Sequence, residues 1–120
     1  MDIESSDALV AKKCKPCEGG VAPYTLQESE EQLKALPGWY LTHDGQRIRR
    51  DWTVTNFLAG MAFFKKVAQV AEEDNHHPDL HLEGYRNVSI GLWTHAIDGL
   101  SENDFILAAK IDRLKIDLKE

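Results

Sequence analysis

Apolar residues recur along the chain at two spacings, one typical of helices and one typical of strands, and the two alternate. A capping box at Thr25 begins a stretch of helical spacing, which Pro37 ends. Alternating residues on either side of Asp44-Gly45 then predict a hairpin, because this dipeptide favours a tight turn. The first half of the domain is therefore predicted to be a helix followed by a two-stranded hairpin.

The same order repeats in the second half. Helical spacing begins at Thr55 and continues to His76, and alternating runs on either side of Glu83-Gly84 predict a second hairpin. Ser101 begins a last helical stretch that reaches Leu118, with an apolar surface wider than one sheet contact needs, which indicates an oligomer. The predicted fold is α+β: a four-stranded antiparallel sheet with three helices packed on one face, in the order α-β-β-α-β-β-α.

The first 22 residues lack this periodicity. They change from acidic to lysine-rich and end near Gly19-Gly20, so we expect a flexible leader over residues 1–22 and a single domain over residues 23–120. The leader contains Cys14 and Cys17 in a Cys-x-x-Cys spacing. This pair is half of a zinc site at most, and no second Cys or His pair follows at a suitable distance. Two cysteines are too few for a disulfide framework, which suits a reducing compartment.

Size and charge exclude several classes of function. A chain of 120 residues has room for one core. Its net charge of -6 and pI near 5.3 argue against binding to nucleic acid or anionic membranes, which requires a basic face. No apolar run is long enough to span a bilayer, and the amino terminus is acidic where a secretory signal is basic. We therefore expect a cytoplasmic protein with no nucleic-acid or membrane partner.

Four of the five histidines lie between residues 72 and 104, which makes this stretch the candidate site. His76 and His77 lie where a helix should end, since Pro78 disfavours a helical conformation in the residue before it. At such a junction both rings can face one cavity. His95 follows a predicted strand, so three imidazoles are expected to converge from different elements. Because imidazole has a pKa of about 6.5, this grouping indicates acid/base chemistry near neutral pH.

Structural roles explain some of the same residues. The run His76-His77-Pro78 suits a helix C-terminus, where the helix dipole favours histidine. Asp104 lies three residues after Ser101, so it can cap the last helix, orient an imidazole, or do both. Glu72 precedes His76 by four residues and can face the same end of the helix. A zinc ion held by the three histidines is a further alternative, although adjacent ligands suit a tetrahedral ion poorly.

The chain resembles the pterin-4a-carbinolamine dehydratase family through several separated elements that occur in order. The motif begins with Glu72-x-x-x-His76-His77-Pro78 and continues with Tyr85, Thr94-His95, Gly99-Leu100 and Asp104. Trp93 stands where the family pattern leads us to expect a smaller residue. The resemblance covers about five-sixths of the chain and leaves the Cys-x-x-Cys leader outside.

The resemblance implies dehydration of a 4a-hydroxytetrahydropterin to quinonoid dihydropterin in tetrahydropterin recycling, by an enzyme that forms homodimers or homotetramers. Such a reaction is neither redox nor hydrolytic, so we expect no cofactor and no metal. Catalysis is assigned to His76, His77 and His95, with Asp104 in support. In our hypothesis, His76 or His77 protonates the leaving hydroxyl, and His95 contacts the ring. Asp104 or Glu72 fixes a tautomer. Substrate contacts are assigned to Glu72, Pro78, Trp93 and Thr94.

Two other interpretations remain open. Because animal relatives also bind a homeodomain transcription factor, the same fold can serve as a non-catalytic dimeric interaction protein. The chain can also belong to a related type of pterin protein in molybdopterin metabolism.

Overall fold

The computed structural model describes residues 3–16 and 22–120. Its centre is a four-stranded antiparallel sheet with the strand order β1-β2-β4-β3. The strands are β1 (Tyr40–Thr42), β2 (Arg47–Thr53), β3 (Asp79–Glu83) and β4 (Asn87–Leu92). Each predicted hairpin is present, and pairing of β2 with β4 joins the two hairpins into one sheet. The predicted architecture is therefore confirmed.

Four α-helices accompany the sheet in the described part of the chain, one more than predicted. They are α1 (Ser6–Val10), α2 (Leu26–Leu33), α3 (Phe57–Asp74) and α4 (Glu102–Asp112). Helix α2 begins at the predicted capping box, in which the Thr25 and Glu28 side chains each accept a hydrogen bond from the other residue's backbone amide. No helix in residues 3–16 or 22–120 has both the length and the apolar character needed to cross a membrane.

Alternation along the two central strands separates a core face from an open face. Ile48 pairs with Leu92 and Trp52 pairs with Val88, and all four side chains are buried. Since residues two apart share a face, these side chains lie together on the side covered by the helices. The helices add further fully buried side chains to this core, among them Phe63, Val67, Phe105, Leu107 and Ile111.

Helix α4 is shorter than predicted, and the residues after it have another role. It ends at Asp112, whose carboxylate accepts hydrogen bonds from Trp39 Nε1 (3.0 Å) and Arg50 Nη1 (2.7 Å). Burial raises the pKa of Asp112 despite these donors. Leu118, which was assigned to the helical stripe, instead forms an antiparallel bridge with Val54. The chain therefore returns to the sheet after α4.

Residues 3–16, which the sequence places in a flexible leader, contain a helix and pack on the domain. Helix α1 lies against α4, and Leu9 is fully buried between them. This contact explains why α4 is apolar on more than one side, which the sequence had attributed to an oligomer. One leucine in a five-residue helix is too little periodicity to be recognised. Residues 17–21 of the predicted leader, including Cys17, lie outside the described residues.

Candidate active site

The end of α3 turns the chain so that two histidines directly follow the helix. Asn75 adopts the left-handed conformation (φ 50°, ψ 41°), which asparagine tolerates better than most residues. The amide of His76 then donates to the carbonyl of Ala71 at 3.2 Å. The helix therefore stops directly before His76 and His77, as the following proline predicts.

His76 is held by a buried carboxylate. Its Nε2 lies 2.7 Å from Oδ1 of Asp104, which is fully buried in the first turn of α4. The His76 side chain itself is 13% exposed, so one edge of the ring is accessible. A carboxylate only accepts hydrogen bonds, so Nε2 carries the hydrogen in this pair. The other ring nitrogen, Nδ1, takes no part in this hydrogen bond.

Two further donors surround the same carboxylate. Oδ2 of Asp104 accepts from Thr94 Oγ1 at 2.8 Å and from the Ser101 amide at 2.9 Å. Thr94 is 3% exposed, and its hydroxyl also lies 2.7 Å from Ser101 Oγ. Asp104 therefore caps α4 and orients His76 at the same time. Three donors compensate for the burial of its charge, which is otherwise costly.

His77 has its own carboxylate, but in an exposed setting. Its Nε2 lies 2.6 Å from Oε2 of Glu72, one turn earlier on α3. The two side chains are 59% and 74% exposed, so water competes with this pair and it orients the ring only weakly. The two adjacent histidines thus differ sharply in how firmly they are held.

His95 is placed by a tight loop between β4 and α4. Residues 94–99 are closed by paired backbone hydrogen bonds between Thr94 and Gly99. A side chain at Gly99 would come within 2.7 Å of Cβ of Pro23, so only glycine fits there. The closed loop holds His95 at the start of a single 3-10 turn, His95–Ile97, rather than in a strand.

An aromatic stack forms one side of the site. The rings of Trp93 and His95 lie 3.9 Å apart, tilted by 35°. The guanidinium of Arg47, on β2, lies 4.1 Å from the centre of the Trp93 ring, within the range of a cation–π contact. The large residue at position 93 therefore supports the His95 imidazole by stacking.

These elements surround an open cleft of about 380 Å³. Of the eight site residues predicted from the sequence, five line it, and Asp104 lies behind it in contact with His76 and Thr94. Glu72 reaches the cleft only through His77, and Pro78 is not part of its wall. The lining residues are Asn75, His76, His77, Trp93, Thr94, His95 and Ala96.

Some residues of the site were missed from the sequence. Asn75 carried a signal, because asparagine before a proline-terminated helix end is typical of a left-handed cap. Ser101 was recognised only as a helix start, and its contact with Thr94 depends on how the loop folds. Arg47 and Ala96 carried no usable signal. Arg47 is 46 residues from Trp93 in sequence, so only the sheet register brings them together.

The donor set of the site does not resemble a metal centre. Within residues 3–16 and 22–120, no three His, Cys, Asp or Glu side chains come together in a way that would hold a metal ion. Nε2 of both His76 and His77 is directed at a carboxylate. What the site offers instead is several imidazoles at one cleft, two of them backed by carboxylates, which is an arrangement suited to proton transfer.

Comparison with known proteins identifies a family. Residues 22–114 match the family model described as pterin 4 alpha carbinolamine dehydratase. The chain is 47% identical over 112 residues to "Pterin-4-alpha-carbinolamine dehydratase 2, mitochondrial" of Arabidopsis thaliana, covering 91% of this chain and 60% of that protein. It is also 47% identical to a protein of Dechloromonas aromatica whose name gives the same activity provisionally, covering 93% of this chain and 97% of that protein.

A solved structure has the same fold. The crystal structure of a transcriptional coactivator/pterin dehydratase from Brucella melitensis superposes with a TM-score of 0.69 and 31% sequence identity. The match covers 75% of this chain and 95% of the Brucella chain. The chain spans 60% of the length of the Arabidopsis relative but nearly the whole length of the Dechloromonas one.

Proposed function

Since this chain belongs to the pterin 4 alpha carbinolamine dehydratase family, a family of hydro-lyases, we propose that it dehydrates a 4a-hydroxytetrahydropterin to quinonoid dihydropterin. The proposed role is tetrahydropterin recycling, with histidines as the acid/base groups. In this reaction the C4a–O bond breaks, the oxygen gains a proton and leaves as water, and a ring nitrogen loses a proton. The observation that carries the proposal is the His76–Asp104 pair beside a cleft that His77 and His95 also line.

In the proposed mechanism Nδ1 of His76 takes the proton that the ring nitrogen of the substrate loses. Asp104 fixes the hydrogen on Nε2 and stabilises the ring when it becomes charged, as a buried carboxylate does behind a catalytic imidazole. Hydroxide is a poor leaving group at neutral pH, so a second group must protonate the leaving oxygen. His77 is adjacent and accessible, and it fills that role. Each positioned acid/base group contributes roughly 10²- to 10⁴-fold to the rate of such a reaction.

The remaining site residues position the substrate or the histidines. Trp93 and His95 present stacked rings to the cleft, against which a flat pterin can pack. Thr94 acts through Asp104, and Glu72 acts through His77. Pro78 contributes by ending the helix before the two histidines, and we assign it no direct contact with substrate.

Direct measurement of dehydration tests this proposal. The purified full-length protein, mixed with freshly generated 4a-carbinolamine in a stopped-flow spectrophotometer, is expected to accelerate loss of water well above the spontaneous rate. Treatment with a chelator should leave this acceleration unchanged, because every proton-transfer step is assigned to side chains of the chain itself. A rate equal to the spontaneous background would contradict the proposal and favour the non-catalytic interaction protein.

We also propose that the chain forms a homodimer or homotetramer. The start of α3 exposes Phe57, Leu58 and Met61, which are 50%, 76% and 47% accessible, on neighbouring turns. Contiguous exposed apolar side chains of this kind mark interaction surfaces. Sedimentation velocity should give a mass of at least two chains, and Leu58→Asp together with Met61→Asp should shift it toward one. A monomeric wild-type protein at micromolar concentration would contradict the proposal.

A further inference from the structure

Residues 3–16, called the strap below, are held on the domain by two matching amide clamps. At one end the Gln32 side chain, 1% exposed, donates to the carbonyl of Glu4 at 2.8 Å and accepts from its amide at 3.1 Å. At the other end the Asn103 side chain, 8% exposed, donates to the carbonyl of Lys15 at 2.6 Å and accepts from its amide at 3.0 Å. Leu9 is buried between the clamps.

The Asn103 clamp lies in the helical turn that carries Asp104. Lys12 approaches Glu102 at 3.3 Å, and the Cys14 thiol lies 3.5 Å from the carbonyl of Asn103. Glu102 and Asn103, at the start of α4, therefore contact the strap, and the next residue, Asp104, contacts His76. The strap contacts and the His76 contact therefore lie in the same turn of α4.

Cys14 also connects the strap to the end of α3. Burial first, and then the nearby Asp74 carboxylate, raise the pKa of the thiol to about 12, so it stays neutral. Asp74 is the last residue of α3, two positions before His76, and it pairs with Lys110 of α4 at 2.6 Å. The strap thus contacts the first turn of α4 and lies near the last residue of α3.

We propose that Asn103, gripped by Cys14 and Lys15 of the strap, is a positioning residue that holds Asp104 at hydrogen-bonding distance from His76. This inference rests on the proposed function. The strap lies outside residues 22–114, which the family model matches. A displacement of the order of 1 Å at a catalytic group costs up to roughly 100-fold in rate, so loss of the clamp should be visible in kcat.

The test compares the two clamps, which are chemically alike but differ in their distance from the site. In the full-length protein, Asn103→Ala is expected to lower kcat roughly tenfold while KM changes less than twofold, because the substrate wall is intact. Gln32→Ala removes an equally buried clamp at the other end of the strap. It should lower the melting temperature by a similar amount and leave kcat within twofold of wild type.

Thiol reactivity shows whether the strap has loosened. In a Cys17→Ser background, reaction with a thiol reagent reports Cys14 alone, and Asn103→Ala should make it faster. If Asn103→Ala does not fold, Asn103→Ser is used, because its shorter side chain cannot reach both Lys15 atoms. Faster Cys14 labelling with an unchanged kcat would overturn the inference, as would equal losses of kcat in Asn103→Ala and Gln32→Ala. An inactive wild type would instead reject the proposed function.

Discussion

Replacing His76 and His77 together with alanine is expected to lower kcat by about 10³- to 10⁴-fold, the largest effect we anticipate from any change to the cleft. The two rings lie at one junction, and each has a carboxylate on its Nε2. Removing one ring leaves its neighbour as a partial substitute, whereas removing both takes away the proton donor and the acceptor from that side. KM should change much less, because Trp93 and His95 remain as the stacking surface.

The matched control for this variant removes two other histidines. His43 and His81 are both exposed and neither lines the cleft, so His43→Ala with His81→Ala should keep kcat within about threefold of wild type. The His76 change leaves Asp104 with one unpaired buried oxygen, which costs about 1 to 3 kcal/mol of stability. Assays therefore belong well below the melting temperature of the variant. An unchanged dehydration rate in the double variant would show that the assignment of these histidines is wrong.

Asp104→Asn is expected to lower kcat by about 10²- to 10³-fold, because it changes which ring nitrogen of His76 carries the hydrogen. In the wild type, the carboxylate accepts from Nε2, and Nδ1 is free to take a proton. An asparagine keeps its oxygen toward Thr94 and the Ser101 amide, which are donors, and turns its NH₂ group toward His76. Nε2 must then accept, so the hydrogen moves to Nδ1 and the neutral ring cannot act as a base there.

This second prediction has a direct physical readout. Nitrogen-15 chemical shifts of His76 should show the hydrogen on Nε2 in the wild type and on Nδ1 in Asp104→Asn. Asp104→Ala provides the comparison, because it leaves Nε2 without a partner and should lose stability as well as activity. Wild-type kcat in Asp104→Asn, with the tautomer changed, would rule out His76 Nδ1 as a site of proton transfer.

The strands and the core were recoverable from local signals. Alternation on either side of Asp44-Gly45 and Glu83-Gly84 predicted both hairpins, and the buried apolar residues of β4 (Val88, Ile90 and Leu92) have the expected period of two. The extra helix was missed because α1 has one buried leucine, and its stability comes from contact with α4 rather than from its own pattern. Short helices depend on tertiary packing, so their sequences need not be strongly periodic.

The sequence predicted that the three histidines lie at one site, but it did not predict the hydrogen-bond partner of each histidine. The motif from Glu72 to Asp104 led to the correct family and brought attention to the three imidazoles before any geometry was known. The four-residue spacing from Glu72 to His76 indicated only that Glu72 faces this end of the helix, and in the structure it pairs with His77. His76 and Asp104 are 28 residues apart, and their contact depends on the packing of α4 against α3.

By itself, the sequence determined the four strands and their hairpins, the order of the three longer helices, the core face of the sheet and the family. Hydrophobic period, turn residues and motif order are properties of neighbours along the chain. The tertiary structure alone decided that Asp104 is a buried partner of His76, that Arg47 stacks on Trp93, and that the strap grips Asn103. Each of these contacts joins residues far apart in sequence. A hydrogen bond or a stack depends on distances of a few ångströms, which only the packing of whole elements sets.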